Sequence, residues 1–259
     1  MAGMDRERLR ATFTEDAELY DKARPTYPDA LVDALPLRPG CRVLEIGCGT
    51  GQATRALAER GCSVTAVELG ANLAAVTRRN LSAFPQVEVV NTTFEDWTLP
   101  AAPFDLVVAA SSFHWLDPAV RARKAAEALR HDGGSLAIIT THHVEGGTSP
   151  FFAEVQECYE RFDPATRPGL RLTAASDVPS TDYNLDTHFE RLSIRRVTRD
   201  IAYTTSEYLD VLLTYSGHRA LPPSARRGLL TCIERLIEDR HSGRVTKRYL
   251  FELQMAVRR

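Results

Sequence analysis

Val43-Leu44-Glu45-Ile46-Gly47-Cys48-Gly49-Thr50-Gly51 decides how the rest of the chain is read. The first four residues are a short apolar run of the kind that makes a buried strand. Gln52 to Arg60 then supplies helix formers that stop at Gly61, a natural residue just past a helix end. Between strand and helix stand glycines at alternate positions. Glycine lets the backbone turn tightly and removes Cβ atoms that would keep a ligand at a distance. At the carboxyl end of a strand in an open α/β sheet, such a loop borders the crevice where ligands bind. The segment is therefore read as a nucleotide-type binding loop. Its spacing is G-x-G-x-G, not the G-x-G-x-x-G of dinucleotide enzymes, and no Gly-Lys-Ser/Thr follows to make a phosphate-cradling loop.

The alternation continues downstream. Ser63 to Leu69 is a second strand rich in β-branched residues, and Ala71 to Leu81 carries helical spacing. Val87 to Val90 is a third strand and Phe104 to Ala110 a fourth. A helix through Val120 to Leu129 and a Gly133-Gly134 turn lead into Leu136 to Thr140. Strands and helices in this order imply βαβ units, hence a largely parallel sheet covered on both faces. Upstream, residues from about Asp5 to Asp33 are polar and helix-prone, interrupted by Arg24-Pro25-Thr26-Tyr27-Pro28, which reads as an N-terminal arm. Beyond Thr141 the rhythm changes. Phe151 to Phe162, Glu207 to Tyr215 and Ala225 to Asp239 look helical and cap the sheet, while one or two strands near Leu192 to Tyr203 complete its edge.

The chain has 259 residues, 44% hydrophobic and 25% charged, which fits one α/β domain with an added segment. A net charge of −2 gives no basic field to capture a polyanion, so nucleic acid is not expected as a partner. Nothing approaches the apolar length that spans a bilayer, and no apolar signal core opens the sequence, so a membrane partner is not expected either. Five cysteines, Cys41, Cys48, Cys62, Cys158 and Cys232, form no close pair with metal or redox spacing, and the expected location is a reducing cytoplasm. His142-His143 are adjacent on a strand and point to opposite faces, so no metal is assigned.

Several residues gather round the glycine loop. Glu68 closes the second strand, where a carboxylate can accept hydrogen bonds from the two hydroxyls of a ribose. Phe94-Glu95-Asp96-Trp97 follows the third strand and offers an aromatic wall and polar groups for a purine. Ser111-Ser112-Phe113-His114-Trp115-Leu116-Asp117 follows the fourth and points at the same crevice.

Taken in order and spacing, the loop, Glu68, Glu95-Asp96, Phe104-Asp105-Leu106-Val107 and Gly133-Gly134 resemble the class I S-adenosylmethionine-dependent methyltransferases, near the branch that includes the trans-aconitate methyltransferases. The resemblance runs from about Tyr20 to Thr140. It departs where the family has Pro-Gly-Gly before the fifth strand and this chain has His131-Asp132-Gly133-Gly134. It implies a Rossmann-like, seven-stranded, mostly parallel sheet flanked by helices. Residues 1–36 would be an arm, 37–144 the cofactor core, and 145–259 a helical cap that completes the sheet, all in a single domain.

The resemblance also implies the ligands. S-adenosylmethionine would be the methyl donor and S-adenosylhomocysteine the product, held by Tyr20, Arg24, Glu45, Gly47, Cys48, Gly49, Gly51, Glu68, Leu69, Thr93, Phe94 and Ser111. Arg24 is the candidate for the methionine carboxylate, which a guanidinium binds bidentately. His114 would border the acceptor and either remove its proton or orient it. Trp115, Tyr203 and Tyr215 would bind the acceptor, with Phe151, Phe152 and His218 nearby. No Asn-Pro-Pro-Tyr or Pro-Cys signature of base-modifying enzymes follows the fourth strand, so the acceptor is expected to be a small molecule, with O, N or C as the methylated atom. A monomer or homodimer is expected. Two other classes remain at this point: an inactive cofactor-binding scaffold and a nicotinamide oxidoreductase.

Overall fold

A computed structural model of the chain describes residues 15–259. Of the polar, helix-prone stretch expected from about Asp5 to Asp33, the part up to Thr14 lies outside them. In chain order the elements are α1 (Ala17–Ala23), α2 (Asp29–Val32), β1 (Arg42–Ile46), α3 (Gln52–Glu59), β2 (Ser63–Glu68), α4 (Ala71–Asn80), β3 (Val87–Asn91), β4 (Leu106–Ala110), α5 (Arg121–Ala128) and β5 (Ser135–His143). They are followed by α6 (Ser149–Glu154), α7 (Gln156–Phe162), β6 (Phe189–Thr204), α8 (Thr205–Leu213), α9 (Ser216–Ala220), α10 (Pro223–His241) and β7 (Arg244–Arg258).

The strands form a seven-stranded sheet in the order β3-β2-β1-β4-β5-β7-β6. The pairs β1/β2, β1/β4, β2/β3 and β4/β5 are parallel, with Glu45 level with Ala66 and Glu68 level with Asn91. The expected sheet is thus present, with one addition. Arg244 to Arg258 was not read as a strand, yet it is a fifteen-residue one, lying between β5 and β6. Val245, Lys247 and every residue from Tyr249 to Gln254 are buried along it, so both faces of the strand are covered in its middle. The charged Lys247 on one face and Glu252 on the other break up the apolar pattern that marks a core strand. The single helix expected over Phe151 to Phe162 is two helices that meet at Val155.

The chain divides into two compact units. One holds the described residues up to Arg24, His142–Pro179 and Thr198–Leu250; the other holds Pro25–Thr141, Ser180–Val197 and Phe251–Arg259. In the second unit β4 is buried from end to end, which is why its sequence reads as an unbroken apolar run. Leu44, Ile46, Val107, Ala109 and Phe113 pack there with Leu129 and Leu136 in one core. In the first unit a Cys158–Cys232 disulfide ties α7 to α10. The sequence offered only the absence of close metal or redox spacings among the five cysteines, which says nothing of a pair so far apart. The 74-residue separation of Cys158 and Cys232 is invisible to any spacing rule, and two helices bring them together.

Candidate functional site

In the second unit strand order reverses at β1, which has β2 on one side and β4 on the other. Loops leaving β1 and β4 therefore diverge and open a crevice at their carboxyl ends. The β1 loop is the glycine segment. Gly47, Gly49 and Gly51 have φ of +71°, +61° and +93°, a region that residues with a Cβ occupy only under strain. At Gly47 a Cβ would also come 2.7 Å from the Ser112 Cβ, so the loop from β1 and the loop from β4 can touch only because Gly47 lacks one. The Ser112 hydroxyl donates to the Ile46 carbonyl and locks that contact.

Glu68, at the tip of β2, holds the loop from the other side. Its carboxylate accepts the Gly49 N–H at 2.9 Å and the Gly70 N–H at 2.8 Å. Thr77, on α4, donates to the Gly49 carbonyl at 2.7 Å, and Asn80 to the Thr50 carbonyl at 3.2 Å. Asn91, at the end of β3, donates to the Glu68 and Leu69 carbonyls at 2.8 and 2.9 Å. Leu69 itself keeps 37% of its surface exposed beside these groups, an unusual position for a large apolar side chain on an otherwise polar rim. Thr77, Asn80 and Asn91 were not read as site residues. The signal was weak: each is a common polar residue on a helix or strand end.

Glu45 and Phe94 differ from expectation. The Glu45 side chain is 1% exposed and accepts from the Thr54 hydroxyl at 2.6 Å, so it ties β1 to α3 beneath the loop. Burial raises its carboxyl to about 7, opposed by the Thr54 hydrogen bond. Cys48 is also buried, and burial with the nearby Glu68 and Glu45 pushes its thiol well above the usual range, leaving it a protonated apolar group. Phe94 was expected as an open wall, but its ring is 2% exposed and packs in the core, with Lys124 5.4 Å from its centroid. Trp97 is only partly buried, packing against that core near Phe104. Thr93 caps this turn: its hydroxyl accepts the Asp96 N–H at 3.0 Å and donates to the Asp96 carboxylate at 2.6 Å.

Ser111 ends β4 with φ of +56°, rare for a residue with a side chain. Its hydroxyl takes a hydrogen bond from Tyr27 at 3.2 Å and lies 3.3 Å from Thr141 Oγ1. Tyr27 was quoted in the Arg-Pro-Thr-Tyr-Pro segment without a role; two prolines hold the chain extended around it and present its ring edge-on to Phe251. His114 and Trp115 follow in a 3₁₀ turn, Phe113–Trp115. His114 is exposed, with its ring 4.9 Å from that of Trp115, while Phe113 anchors the turn in the core.

The first unit contains the other expected residues. Arg24 caps the C-terminus of α1, its N–H bonded to the Tyr20 carbonyl at 3.0 Å. Its guanidinium lies 4.9 Å from the Tyr20 ring centroid and 4.7 Å from that of Tyr215, and donates to the Thr214 carbonyl at 2.8 Å. Arg24 Nε is buried and has no hydrogen-bond partner among the described residues. Lys247, 3% exposed on β7, donates to the Tyr215 hydroxyl at 2.8 Å and sits 4.8 Å from the Tyr249 ring. Tyr203 is buried and shares a 3.0 Å hydrogen bond with Tyr249. Phe151 and Phe152 are core residues packed against Tyr208. His218 hydrogen-bonds Tyr159 at 2.9 Å, and burial drives its imidazole down to about 4. His143 stacks edge-on against Phe152, and burial lowers it to about 2.

Residues 43–133 match the family model of a methyltransferase domain. An uncharacterized methyltransferase of Mycobacterium tuberculosis (strain ATCC 25618 / H37Rv) is 34% identical over 134 residues, 52% of this chain and 54% of the relative. The trans-aconitate 2-methyltransferase of Azoarcus sp. (strain BH72) is 36% identical over 110 residues, 42% of either chain. The chain thus spans about half the length of the curated relatives it matches. A solved structure from Anaeromyxobacter dehalogenans, a candidate type II methyltransferase, shares the fold at a TM-score of 0.56 and 24% identity, over 90% of this chain and 97% of that one.

The seven-stranded sheet is of the fold that this solved structure shares. Residues 43–133, which carry the glycine loop, are similar to a methyltransferase domain.

Proposed function

We propose that the protein transfers the methyl group of S-adenosylmethionine to a small-molecule acceptor. The observation that carries this reading is the Glu68 carboxylate, fixed at the crevice by two backbone N–H groups while facing the glycine loop. Each carboxylate oxygen has a second lone-pair site, so Glu68 can accept ribose hydroxyls as well as hold the loop. In this reading Gly47, Gly49 and Gly51 give the adenosyl group room, Leu69 and the Thr93-Phe94 backbone border its base, and the Ser111 turn holds the methionine end. Tyr20 and Arg24 take the methionine carboxylate. Glu45 and Cys48 shape the loop from below and touch no ligand atom.

A sulfonium methyl is electrophilic without metal or covalent help. The protein's task is to align acceptor, methyl and sulfur in a poorly hydrated site, which makes a bimolecular displacement effectively unimolecular. Trp115, Tyr203 and Tyr215 are the acceptor residues, and His114 orients the acceptor at the β4 turn. Residues 37–144 serve as the cofactor core, 1–36 as an arm and 145–259 as a cap. Among the described residues no helix is long and apolar enough to cross a membrane, and the charge of −2 suits neither DNA nor RNA. The protein works as a monomer or homodimer. A cytoplasmic location sets a condition on Cys158–Cys232, because thiols are kept reduced there.

The test is calorimetry with S-adenosylhomocysteine, followed by a screen of labelled methyl donor against carboxylic acids, phenols and amines. Tight binding of the product and label on one acceptor class are expected. Binding of NADH in its place would discard the reading.

A further inference from the structure

Cys41 and Cys62 meet inside the second unit, one residue before β1 and one before β2. The parallel register that sets Arg42 level with Ser63 continues one step back from the strands. There the Ser63 N–H donates to the Cys41 carbonyl at 2.9 Å, and the Gly40 N–H to the Gly61 carbonyl at 2.8 Å. Neighbouring strands run about 4.8 Å apart, inside the Cα separation of about 4.4–6.8 Å that a disulfide spans. The side chains meet too. Their Sγ atoms are unbonded and only 3.0 Å apart, and both residues are buried. That is closer than the ~3.5–4.0 Å at which unbonded carbon atoms rest, and sulfur is the larger atom.

We propose that Cys41 and Cys62 are a redox couple that closes into a second disulfide, with oxidised glutathione as the oxidant. One cysteine, as thiolate, attacks a sulfur of the glutathione disulfide, forming a mixed disulfide and releasing one glutathione thiolate. The other cysteine, as thiolate, attacks the protein sulfur of that mixed disulfide. The new S–S bond forms and the second glutathione leaves. Two protons pass from the cysteines to the two departing thiolates, so the cysteine pair loses two electrons and the glutathione disulfide gains them. The fold supplies proximity for the second attack, because backbone hydrogen bonds hold the two segments side by side.

Burial sets the timing. It raises the Cys62 thiol to about 12, with Cys41 adding to the rise, Arg60 opposing it and Asp105 adding a little more. Exchange needs a thiolate, so the folded pair reacts slowly. Arg38, Pro39, Gly40 and Gly61 beside the pair are exposed, so a local opening of these turns, or folding itself, is when the bridge closes. Where glutathione is kept reduced the couple rests as a dithiol, and it closes when the oxidised form accumulates. Cys48 stands apart from it at the far end of β1, its sulfur 3.9 Å from Thr77 Oγ1.

The test starts from the full chain, unfolded and reduced, and refolds it in a glutathione buffer with the oxidised form in excess. Exchange then begins with every thiol accessible. Alkylation and non-reducing peptide mapping should show Cys41 joined to Cys62, Cys158 joined to Cys232 and Cys48 alkylated. In Cys62→Ser, Cys41 should carry the alkyl label or a glutathione. A Cys158→Ala, Cys232→Ala variant isolates the effect of the new bridge on stability. Its oxidised form should melt ~5–10 °C above its reduced form, as a loop of this length implies for a chain of this size. Cys41 and Cys62 recovered as alkylated thiols in the wild type overturn the proposal, whatever the state of Cys158 and Cys232. A bridge from either of them to Cys48, or equal melts of the oxidised and reduced variant, also overturns it. None of these measurements involves a methyl donor, so they stand apart from the methyl-transfer reading.

Discussion

Glu68 and Gly49 are joined by a 2.9 Å hydrogen bond from the Gly49 N–H to the Glu68 carboxylate, so the tip of β2 holds the loop that leaves β1. That bond lets one side chain serve both loop and ligand. Replacing Glu68 with Ala removes the loop anchor and the proposed ribose acceptor together. With charged hydrogen bonds worth about 1.5–3 kcal/mol each, affinity for S-adenosylhomocysteine should fall by roughly tenfold to a hundredfold. Calorimetry on a variant of unchanged circular dichroism checks this; full affinity would separate Glu68 from the cofactor.

The loop glycines make a stricter prediction. Gly47→Ala places a Cβ against Ser112 Cβ at 2.7 Å and forces a left-handed conformation, so stability should drop by about 1–3 kcal/mol. Gly49→Arg should abolish binding of S-adenosylhomocysteine by filling the crevice. Thermal melts and calorimetry read the two effects separately, and a Gly49→Arg protein that binds normally would put the cofactor elsewhere.

Local pattern made the first half of this fold legible. β1, β2, β4 and β5 are largely buried runs and β3 a partly exposed one, punctuated by Gly61, Gly70 and Gly133-Gly134, so pattern and punctuation agree. The same rules missed β7, because its buried positions include Lys247 on one face and Glu252 on the other, which a pattern reader assigns to the surface. Those two residues are buried by pairing decided far away in sequence: Glu252 with Arg196, and Lys247 with Tyr215. The site shows the same division. The glycines and Glu68 announced themselves through spacing after strands, whereas Phe94 was misread because a turn residue and a core residue look alike until the turn's direction is known. The Cys158–Cys232 bridge was illegible for a like reason.

Glu45 gives the chain a pH signature. Burial raises its folded-state carboxyl to about 7, while an unfolded Glu ionises near its ordinary value of 4.5. Between those values the folded chain holds a proton that the unfolded chain has released. Stability should therefore fall as pH rises from about 4.5 to 7 and level off above, by an amount of roughly 3 kcal/mol from this group. Glu45→Gln should remove that slope and keep a partner for Thr54. Denaturant melts across the window test it; parallel curves for wild type and variant would show that Glu45 ionises normally.

The Cys158–Cys232 bridge closes a loop with a sequence separation of 74, for which chain entropy gives about 4 kcal/mol of stabilisation. Cys232→Ser, or reduction of the wild type, should lower the melting temperature by a similar amount in either case. Protection of α7 and α10 amides from hydrogen exchange should fall first, since those helices carry the bridge. Equal melts with and without reductant would mean that the pair is a dithiol in solution.

His114 tests the division between orienting an acceptor and deprotonating it. Its ring is exposed against Trp115, on a 3₁₀ turn anchored by Phe113, so His114→Ala leaves the core and the glycine loop untouched. Affinity for S-adenosylhomocysteine should stay as it was. A positioning group that sets the attack angle influences turnover with a flat pH dependence, because misplacement by about an ångström costs on the order of a hundredfold. A base would instead make the loss depend on pH around the ordinary imidazole value of ~6.5. With His114 as a positioning group, its Ala variant should give a pH profile parallel to that of the wild type at lower height. Profiles that converge at high pH would make His114 the base and not a positioning group.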